Sequence, residues 1–496
     1  MLRSRTLHII LLVLAAVFVY ANSLGGDFVY DDKPMIVQYD LIHQINNLPR
    51  AFTSPTTIYG NVNYYRPLQT ASYMIDYFLW GEYPAGFHLT NILLHIAVVI
   101  MVYTLILLLF KSRPVAFMAA VMFCVHPVHT TVVSYIAGRA DSMLCVFMLG
   151  CFVSYIKFRY GGKSLAVYAL SVFFFGLSLM AKETAMIIPF AIALFELYGR
   201  RYTKVQAPQR KGPWQAAFWA VLLLYVLFRA TKMSFFVEGA MAPFPLANRL
   251  MTAPYVAGQY FRLLFLPVDL HMGRQPWLAS TLFEGKVLLS LVAVGLIYFY
   301  AYRMRKKEKA VWFGLLWFAV MIFPTLNIIA PLFYTIAENW LYVPSIGLFL
   351  AIAAVASSIY AKLASSSVKV TRWAVTVLVG MYVATMAAVT VSHNRVWKNE
   401  ITLGLNTIRF SPREFKIYNN VGVAYLSRGD LDKAEEYFWK CLEIKPDTGM
   451  AYFNLYRVYM RRGDRAKARQ YLDRARELDP GRVGILIKKM GITDQI

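Results

Sequence analysis

Ionisable side chains in this 496-residue chain gather at a few places where proton transfer and phosphate chemistry could be done together. Asp31 and Asp32 stand side by side before Lys33, and Arg66 follows Tyr64-Tyr65. His126 and His129 flank Pro-Val, Arg139 and Asp141 lie two apart, Lys182 precedes Glu183, and Glu338 opens a later apolar stretch. A carboxylate can take the proton of an attacking hydroxyl, while Arg or Lys holds an anionic leaving group. Each feature also has a plainer reading. Asp31-Asp32-Lys33 fits a solvated turn, Arg139 and Asp141 a helix cap, and Lys182-Glu183 a self-paired hairpin. The i, i+3 spacing of His126 and His129 can hold a metal, but Pro127 and the want of a third ligand favour capping or packing. Asp31 with Asp141 or Glu183 would offer hard oxygen ligands to a divalent cation.

The elements that position these groups are membrane helices. The chain is 58% hydrophobic and 16% charged, with a mean hydropathy of +0.48, a composition that excludes an ordinary soluble globule. Its formal charge of +24 comes from 51 Lys and Arg against 27 Asp and Glu. Many of those cations punctuate the gaps between apolar runs rather than forming one face, so no nucleic-acid partner is expected. The cysteines, Cys124, Cys145, Cys151 and Cys441, contain no CxxC pair and suggest neither disulfides nor zinc.

At about 20 apolar residues per span, the sequence predicts eleven spans. The first covers about 7–20 and is read as a retained helix, because no small-x-small cleavage site follows it. The others lie near 88–110, 114–135, 141–159, 164–181, 184–199, 214–235, 285–302, 310–330, 338–361 and 372–393. Basic clusters such as Lys157, Arg159 and Lys163, or Arg303 to Lys309, then fall on one side, which the positive-inside rule makes cytoplasmic. The stretch at about 255–266, broken by Arg262 and Pro267, is read as interfacial or re-entrant. On this topology the loops 22–87 and 236–284 and everything after about 393 are extracytoplasmic. Leu41, Ile42, Ile45 and Leu48 predict a short amphipathic helix in the first loop. His88 and all the candidates named above come to the outer boundary, and that shared side is a stronger signal than any single residue.

Hydrophobicity falls after about residue 397 and a 34-residue self-similarity begins. Tyr418, Gly422, Tyr425, Ala434, Phe438 and Pro446 recur as Tyr452, Tyr456, Tyr459, Ala468, Leu472 and Pro480. This is the tetratricopeptide (TPR) pattern. It predicts a domain over 394–496 with a partial repeat at 399–412, full repeats at 415–446 and 449–480, and a cap at 481–496. Such arrays bind peptides or partner proteins along a concave face, or serve as a rigid lid. The expected fold class is all-α: a membrane domain over 1–393 followed by helical repeats.

Six segments carry a family resemblance: FVYDDKPMI (28–36), YRPLQTASYMIDYFLWGEYPAGFHLTNILLH (65–95), HPVHTTVVSYIAGRAD (126–141), LSLMAKETA (177–185), AENWLYVPSIG (337–347) and NRVWKNEITL (394–403). In this order, ahead of TPR repeats, they resemble the transmembrane-and-TPR O-mannosyltransferase (TMTC-like) family and its bacterial relatives. Thr131 stands where the family often has Glu, and Asn339 where it usually has Arg. The resemblance implies a GT-C glycosyltransferase fold. It also implies transfer of a sugar, mannose in the family, from a polyprenyl-phosphate donor to an acceptor hydroxyl on the luminal or periplasmic side. Asp31 and Asp32 occupy the family's acidic motif. The implied partners are the lipid-linked donor, membrane lipid and an acceptor protein or peptide offered by the repeats. Inverting attack assisted by Asp31 or Asp32, with Arg139, Lys182 and Arg66 on the donor phosphate, is the expected mechanism. His126, His129, Asp141, Glu183 and Glu338 are further site candidates, and the resemblance implies that no metal or other cofactor is required, although a divalent metal is possible. A flippase would scatter polar residues through the depth of the spans, and a scaffold would tolerate loss of both aspartates.

Overall fold

In hydrocarbon a chain must satisfy its own backbone hydrogen bonds, so long apolar runs become helices. The structure, a computed structural model, describes residues 4–54, 56, 64–232, 244–274, 277–329, 332, 334–364 and 369–490. The protein is all-α. Among the described residues the only strand-like pairing is one antiparallel bridge between Thr56 and Tyr64. The chain separates into two units, one of Met1–Leu270 with Pro276–Arg395 and one of His271–Gln275 with Val396–Ile496.

The first unit holds α1 (Arg5–Tyr20), α2 (Pro67–Trp80), α3 (Pro84–Phe110), α4 (Arg113–Val125), α5 (Arg139–Arg159), α6 (Leu165–Ala181) and α7 (Ile188–Leu197). It continues with α8 (Ala216–Lys232), α9 (Leu246–Phe265), α10 (Gly285–Met304), α11 (Lys309–Ile322), α12 (Ser345–Ala364) and α13 (Lys369–Asn394). Every apolar run expected to span coincides with one of these helices. Among the described residues six helices are long and apolar enough to cross a membrane, and a seventh if α4 and Pro127–Val133, bent by 54°, form one broken span. The others are shorter, with 17 residues in α6 and in α8, 14 in α11 and 10 in α7. Length and composition alone thus qualify six or seven helices of an integral membrane protein, and the expected count of eleven requires the shorter apolar helices to cross as well. The apolar stretch at 255–266 ends the 20-residue α9, which contains Pro254 and Arg262 and does not qualify as a crossing.

Small residues set the closest approach in this bundle. A Cβ on Gly347 of α12 would meet the Gly314 carbonyl oxygen of α11 at 2.2 Å, and one on Gly314 would meet the Gly347 oxygen at 2.3 Å. Neither backbone can yield without parting the helices. Gly347→Ala is therefore expected to destabilise the fold by about 1–3 kcal/mol, read as a lower unfolding temperature of purified protein. Gly295→Ala, where an added methyl meets nothing within 4 Å, is the control and should leave it unchanged.

The first loop differs from the expected amphipathic helix over Leu41–Leu48. Gln44 is extended (φ −128°, ψ 111°), which splits the stretch into short 3-10 turns, Asp40–His43 and Ile45–Asn47, before one helical turn at Leu48–Ala51. The amphipathic element is α2, which buries Gln69, Thr70, Tyr73 and Met74 and exposes Ile75, Phe78, Leu79 and Trp80. Residues 57–63 of this loop and 236–243 of the second lie outside the described residues.

The second unit is a helical-repeat array: α14 (Glu400–Phe410), α15 (Phe415–Ser427), α16 (Leu431–Ile444), α17 (Gly449–Arg462), α18 (Arg465–Leu478) and α19 (Pro480–Lys489). Gly429 and Gly463 sit at φ +81° and +80°, left-handed positions that glycine reaches without strain. Asp430 and Asp464, next in sequence, cap α16 and α18 by accepting the Lys433 and Lys467 amides. A Cβ on Gly422 would fall 2.5 Å from the Phe438 ring, the large-against-small packing that the repeat predicts. Residues 491–496 of the expected cap lie outside the described residues.

Candidate active site

Asp31 and Asp32, equal in the sequence, have different environments. Tyr30 turns the chain through a left-handed conformation, φ +49°. Asp32 is fully buried; one carboxylate oxygen accepts the Val29 amide at 3.0 Å and the other the Ala137 amide at 2.7 Å. It thereby ties the first loop to the turn that precedes α5. Both oxygens are engaged by backbone, so the geometry makes Asp32 a positioning residue. Asp31 is only partly buried. Burial pushes its carboxyl up from 3.8 to about 6, against the Tyr135 hydroxyl and the Arg66 charge, which pull it down. A carboxylate with that value is ionised at neutral pH yet basic enough to take a proton.

Arg66, at the start of α2, grips Glu183 with two bonds of 3.1 and 2.6 Å, and its guanidinium lies 4.2 Å from the centre of the Tyr64 ring. Burial alone would raise the Glu183 carboxyl, but Arg66 and then Lys182 bring it down to about 2. Lys182 donates to Asp141 at 2.6 Å, and the Asn339 amide donates to the other Asp141 oxygen at 3.0 Å. These three side chains line a cleft of about 430 Å³ together with Thr184, Trp340 and Met321. A lysine ammonium has donors to spare after one such bond. Asp31 feels the charge of Arg66, and Arg66 that of Glu183 and Asp141, so these groups form one electrostatic unit. Glu338, 3% exposed, is buried in the turn beside Asn339.

Arg139 requires a correction as a phosphate ligand. Its side chain is fully buried, donating to Asn91 at 2.8 Å, Ser72 at 3.1 Å and the Phe87 carbonyl at 2.8 Å. It also pairs with Asp76 at 2.6 Å. Those contacts hold α2, α3 and the start of α5 together, and leave no face for a ligand. His126 and His129 are likewise taken up by the fold. His126 meets the Leu264 carbonyl at 3.0 Å and accepts the Val128 amide at 3.3 Å. His129 meets the Phe123 carbonyl at 2.8 Å and the Ser345 hydroxyl at 3.1 Å. Their packing reading is the one the geometry supports. Among the described residues no group of three His, Cys, Asp or Glu is placed to hold a metal ion.

The sequence reading missed Asp76, Asn91 and Tyr135. Asp76 and Asn91 interrupt apolar helical stretches, MIDYF and LTNIL, and a polar side chain there signals a buried partner. Arg229 of α8 was also missed. It is 3% exposed, with its guanidinium 5.9 Å from the centre of the Tyr65 ring beside Arg66.

Against known proteins, the tetratricopeptide repeat family matches residues 415–448. A mouse protein O-mannosyl-transferase, TMTC3, is 27% identical over 487 residues, covering 90% of this chain and 52% of its own. Over most of its length this chain is therefore similar to the TMTC proteins. The Caenorhabditis elegans protein O-mannosyl-transferase F38B6.6 is 25% identical over 463 residues, covering 88% of this chain and 63% of its own. The chain thus spans about half to two thirds of the length of these curated relatives. Among solved structures, the Archaeoglobus fulgidus oligosaccharyltransferase aligns with a TM-score of 0.47 at 14% identity, over 79% of this chain and 55% of its own. ArnT from Cupriavidus metallidurans, bound to undecaprenyl phosphate, aligns with a TM-score of 0.44 at 14% identity, over 84% and 80%.

Proposed function

We propose that this chain is a membrane glycosyltransferase that moves a sugar, mannose in its named relatives, from a polyprenyl-phosphate donor to an acceptor hydroxyl, Ser or Thr of a protein. The observation that carries this reading is the placement of a partly buried carboxylate, Asp31, in one electrostatic unit with Arg66 and a cleft lined by Lys182 and Asn339. Asp31 takes the acceptor proton as the hydroxyl oxygen forms its bond to the anomeric carbon. The bond from that carbon to the phosphate oxygen breaks, its electron pair stays with the phosphate, and the configuration inverts. Lys182 and Asn339 face the departing phosphate, with Arg66 held by Glu183 close by.

An apolar groove of about 470 Å³, lined by Leu105, Phe152, Ile156, Phe195 and Trp317, shares Met321 with the polar cleft. That continuity suits a ligand with a charged head and a long hydrocarbon tail. By the placement of its basic clusters the reaction lies on the extracytoplasmic side, the periplasm or the lumen of the endoplasmic reticulum. The repeats recruit the acceptor.

The test uses purified protein in lipid nanodiscs, a radiolabelled polyprenyl-phosphate mannose and candidate periplasmic or luminal proteins. Transfer by wild type supports the reading; donor hydrolysis without transfer supports the donor and rejects the acceptor. Neither reaction, repeated with other sugars, favours a scaffold. The same assay tests the cleft. Lys182→Gln with Asp141→Asn neutralises both members of the buried pair, so the fold is kept while the phosphate loses its cation. The donor KM is expected to rise about tenfold or more, since a charge-assisted bond contributes about 1.5–3 kcal/mol. An unchanged donor KM in the folded double variant would remove Lys182 from the donor site. Added chelator is expected to leave transfer unchanged.

A further inference from the structure

A smaller cavity of the first unit, about 250 Å³, is lined by Arg249 and Thr252 of α9 and by Leu326, Asn327, Leu332 and Thr335. It is not the cleft of Lys182 and Asn339 but adjoins it in the chain: Pro324 and Thr325 line that cleft, and the next two residues, Leu326 and Asn327, line this cavity. Asn327 sits at φ +59°, a left-handed position that asparagine tolerates better than most residues. Its side chain accepts the Leu332 amide at 2.6 Å and donates to the Tyr334 carbonyl at 3.3 Å, which fixes the turn. Its own carbonyl then accepts Nη1 of Arg249 at 2.8 Å. That bond orients the guanidinium without neutralising it. Arg249 stands in the first turn of α9, where the helix dipole is positive and no acidic residue offsets it. Arg66, Arg139, Arg159 and Arg262 each pair with a carboxylate. Among the described residues Arg249 pairs with none, and its buried Nε has no hydrogen-bond partner. A buried donor on a charged group is costly to leave unmatched, so the cavity is set to receive an acceptor.

The class of that acceptor follows from the edge that is left. With Nη1 taken, the remaining edge is the one shared by Nε and Nη2, by which Arg66 grips Glu183 in two bonds. A planar carboxylate matches it. The volume falls below the roughly 300–1,000 Å³ of cavities that enclose a whole small molecule and suits one side chain, whose methylenes would pack on Leu326 and Leu332. We infer that this cavity receives the carboxylate of an Asp or Glu side chain of the acceptor polypeptide, held by Arg249, while a nearby hydroxyl residue of the same polypeptide enters the cleft. Arg249 thus sets a preference for an acidic residue close to the modified Ser or Thr. The inference rests on the transferase reading for the identity of the polypeptide, but the binding itself needs no sugar donor.

The experiment is fluorescence anisotropy with the full chain in nanodiscs of neutral lipid and no donor. The probes are labelled Thr-containing peptides that carry a single Glu at successive positions on either side of the Thr, each with its Gln counterpart. At a restricted set of positions the Glu peptide is expected to bind at least about tenfold more tightly than its Gln counterpart, the effect of a charge-assisted hydrogen bond. Arg249→Gln should abolish that difference, and Arg249→Lys, which keeps the charge and loses the fork, should retain only part of it. Arg249→Glu should turn the preference toward the matching Lys peptide, a gain that misfolding cannot produce. In the transfer assay, exchanging Glu for Gln should raise the KM for the peptide and leave that for the donor. A wild type that binds the Glu peptide through Arg249 but transfers no sugar keeps the site and rejects the transferase. Equal binding of Glu and Gln peptides at every position would overturn the proposal. So would a raised donor KM in Arg249→Gln with the peptide preference intact, which assigns the arginine to the donor phosphate. Arg249-dependent capture of anionic vesicles without any peptide preference would overturn it too, in favour of a lipid headgroup.

Discussion

Asp31→Asn is expected to lower the rate of sugar transfer by about 10²–10⁴-fold, the range of a positioned general base, while making the protein harder to unfold at neutral pH. The two effects come from one cause. Burial favours the protonated form of Asp31, raising its folded value from 3.8 to about 6. A raised carboxyl contributes stability that is fully present below 3.8 and lost as the pH climbs through about 6. At pH 7 the ionised group therefore costs the fold up to about 3 kcal/mol, converting the displacement at 1.36 kcal/mol per pH unit. Asparagine does not ionise, so the advantage of the variant in unfolding temperature should be greatest near neutrality and shrink toward pH 4. Transfer runs the other way in wild type: only the carboxylate can accept a proton, so the rate should rise with pH through about 6 and then level off. Asp32→Asn separates the two aspartates. It removes one acceptor from a buried carboxylate that holds the Val29 and Ala137 amides, so it should lower stability and impair transfer indirectly. A folded Asp31→Asn variant that keeps more than about a tenth of wild-type transfer falls outside the range for a general base and would exclude Asp31 from that role. A flat pH profile in wild type would do so as well.

The helices and repeats were legible in the sequence because each rests on a periodic signal. Runs such as Pro84–Phe110 have one reading at their length and apolarity, and the 34-residue recurrence fixes helices, turns and small-residue contacts together. The number of crossings was less legible. Length counted along an apolar run does not show where a helix gives way to 3-10 turns, as at Glu183–Ile187 and Phe323–Thr325. At the site, residue type and shared boundary picked out Asp31, Arg66, Asp141, Lys182 and Glu183, which the structure brings into one electrostatic unit. What sequence could not supply was direction. Asp31 and Asp32 are adjacent and chemically identical, and only the amides of Val29 and Ala137, the latter 105 residues away, assign one to the fold. The failed expectation over Leu41–Leu48 has a local cause: apolar spacing persisted there, but extended Gln44 divided the stretch before a helix could propagate through it.

Arg139 shows how far that missing direction can mislead, and Arg139→Gln carries the largest expected effect on stability. As a donor-phosphate ligand it would be dispensable to the fold and its loss would appear in the donor KM. As the structure has it, the guanidinium is fully buried and pairs at 2.6 Å with Asp76, itself 3% exposed. Removing one partner of a buried ion pair strands the other, at a cost of about 3–5 kcal/mol. Burial already raises the Asp76 carboxyl and Arg139 pulls it back, so without the arginine Asp76 would hold its proton to higher pH. Arg139→Gln should therefore give little folded protein near neutral pH. The double variant Arg139→Gln with Asp76→Asn should recover much of the loss, because no charge is then left unpaired. Unfolding temperature of the purified variants reads this directly. Recovery in the double variant, with donor KM near that of wild type, assigns Arg139 to the fold. A well-folded single variant with a raised donor KM would return it to the phosphate. The cycle also bears on catalysis, because Arg139 fixes the start of α5 next to Ala137, whose amide holds Asp32 and, through it, the turn that carries Asp31. The recovered double variant should consequently show a deficit in the rate of transfer rather than in donor binding, the signature of a base displaced from its acceptor.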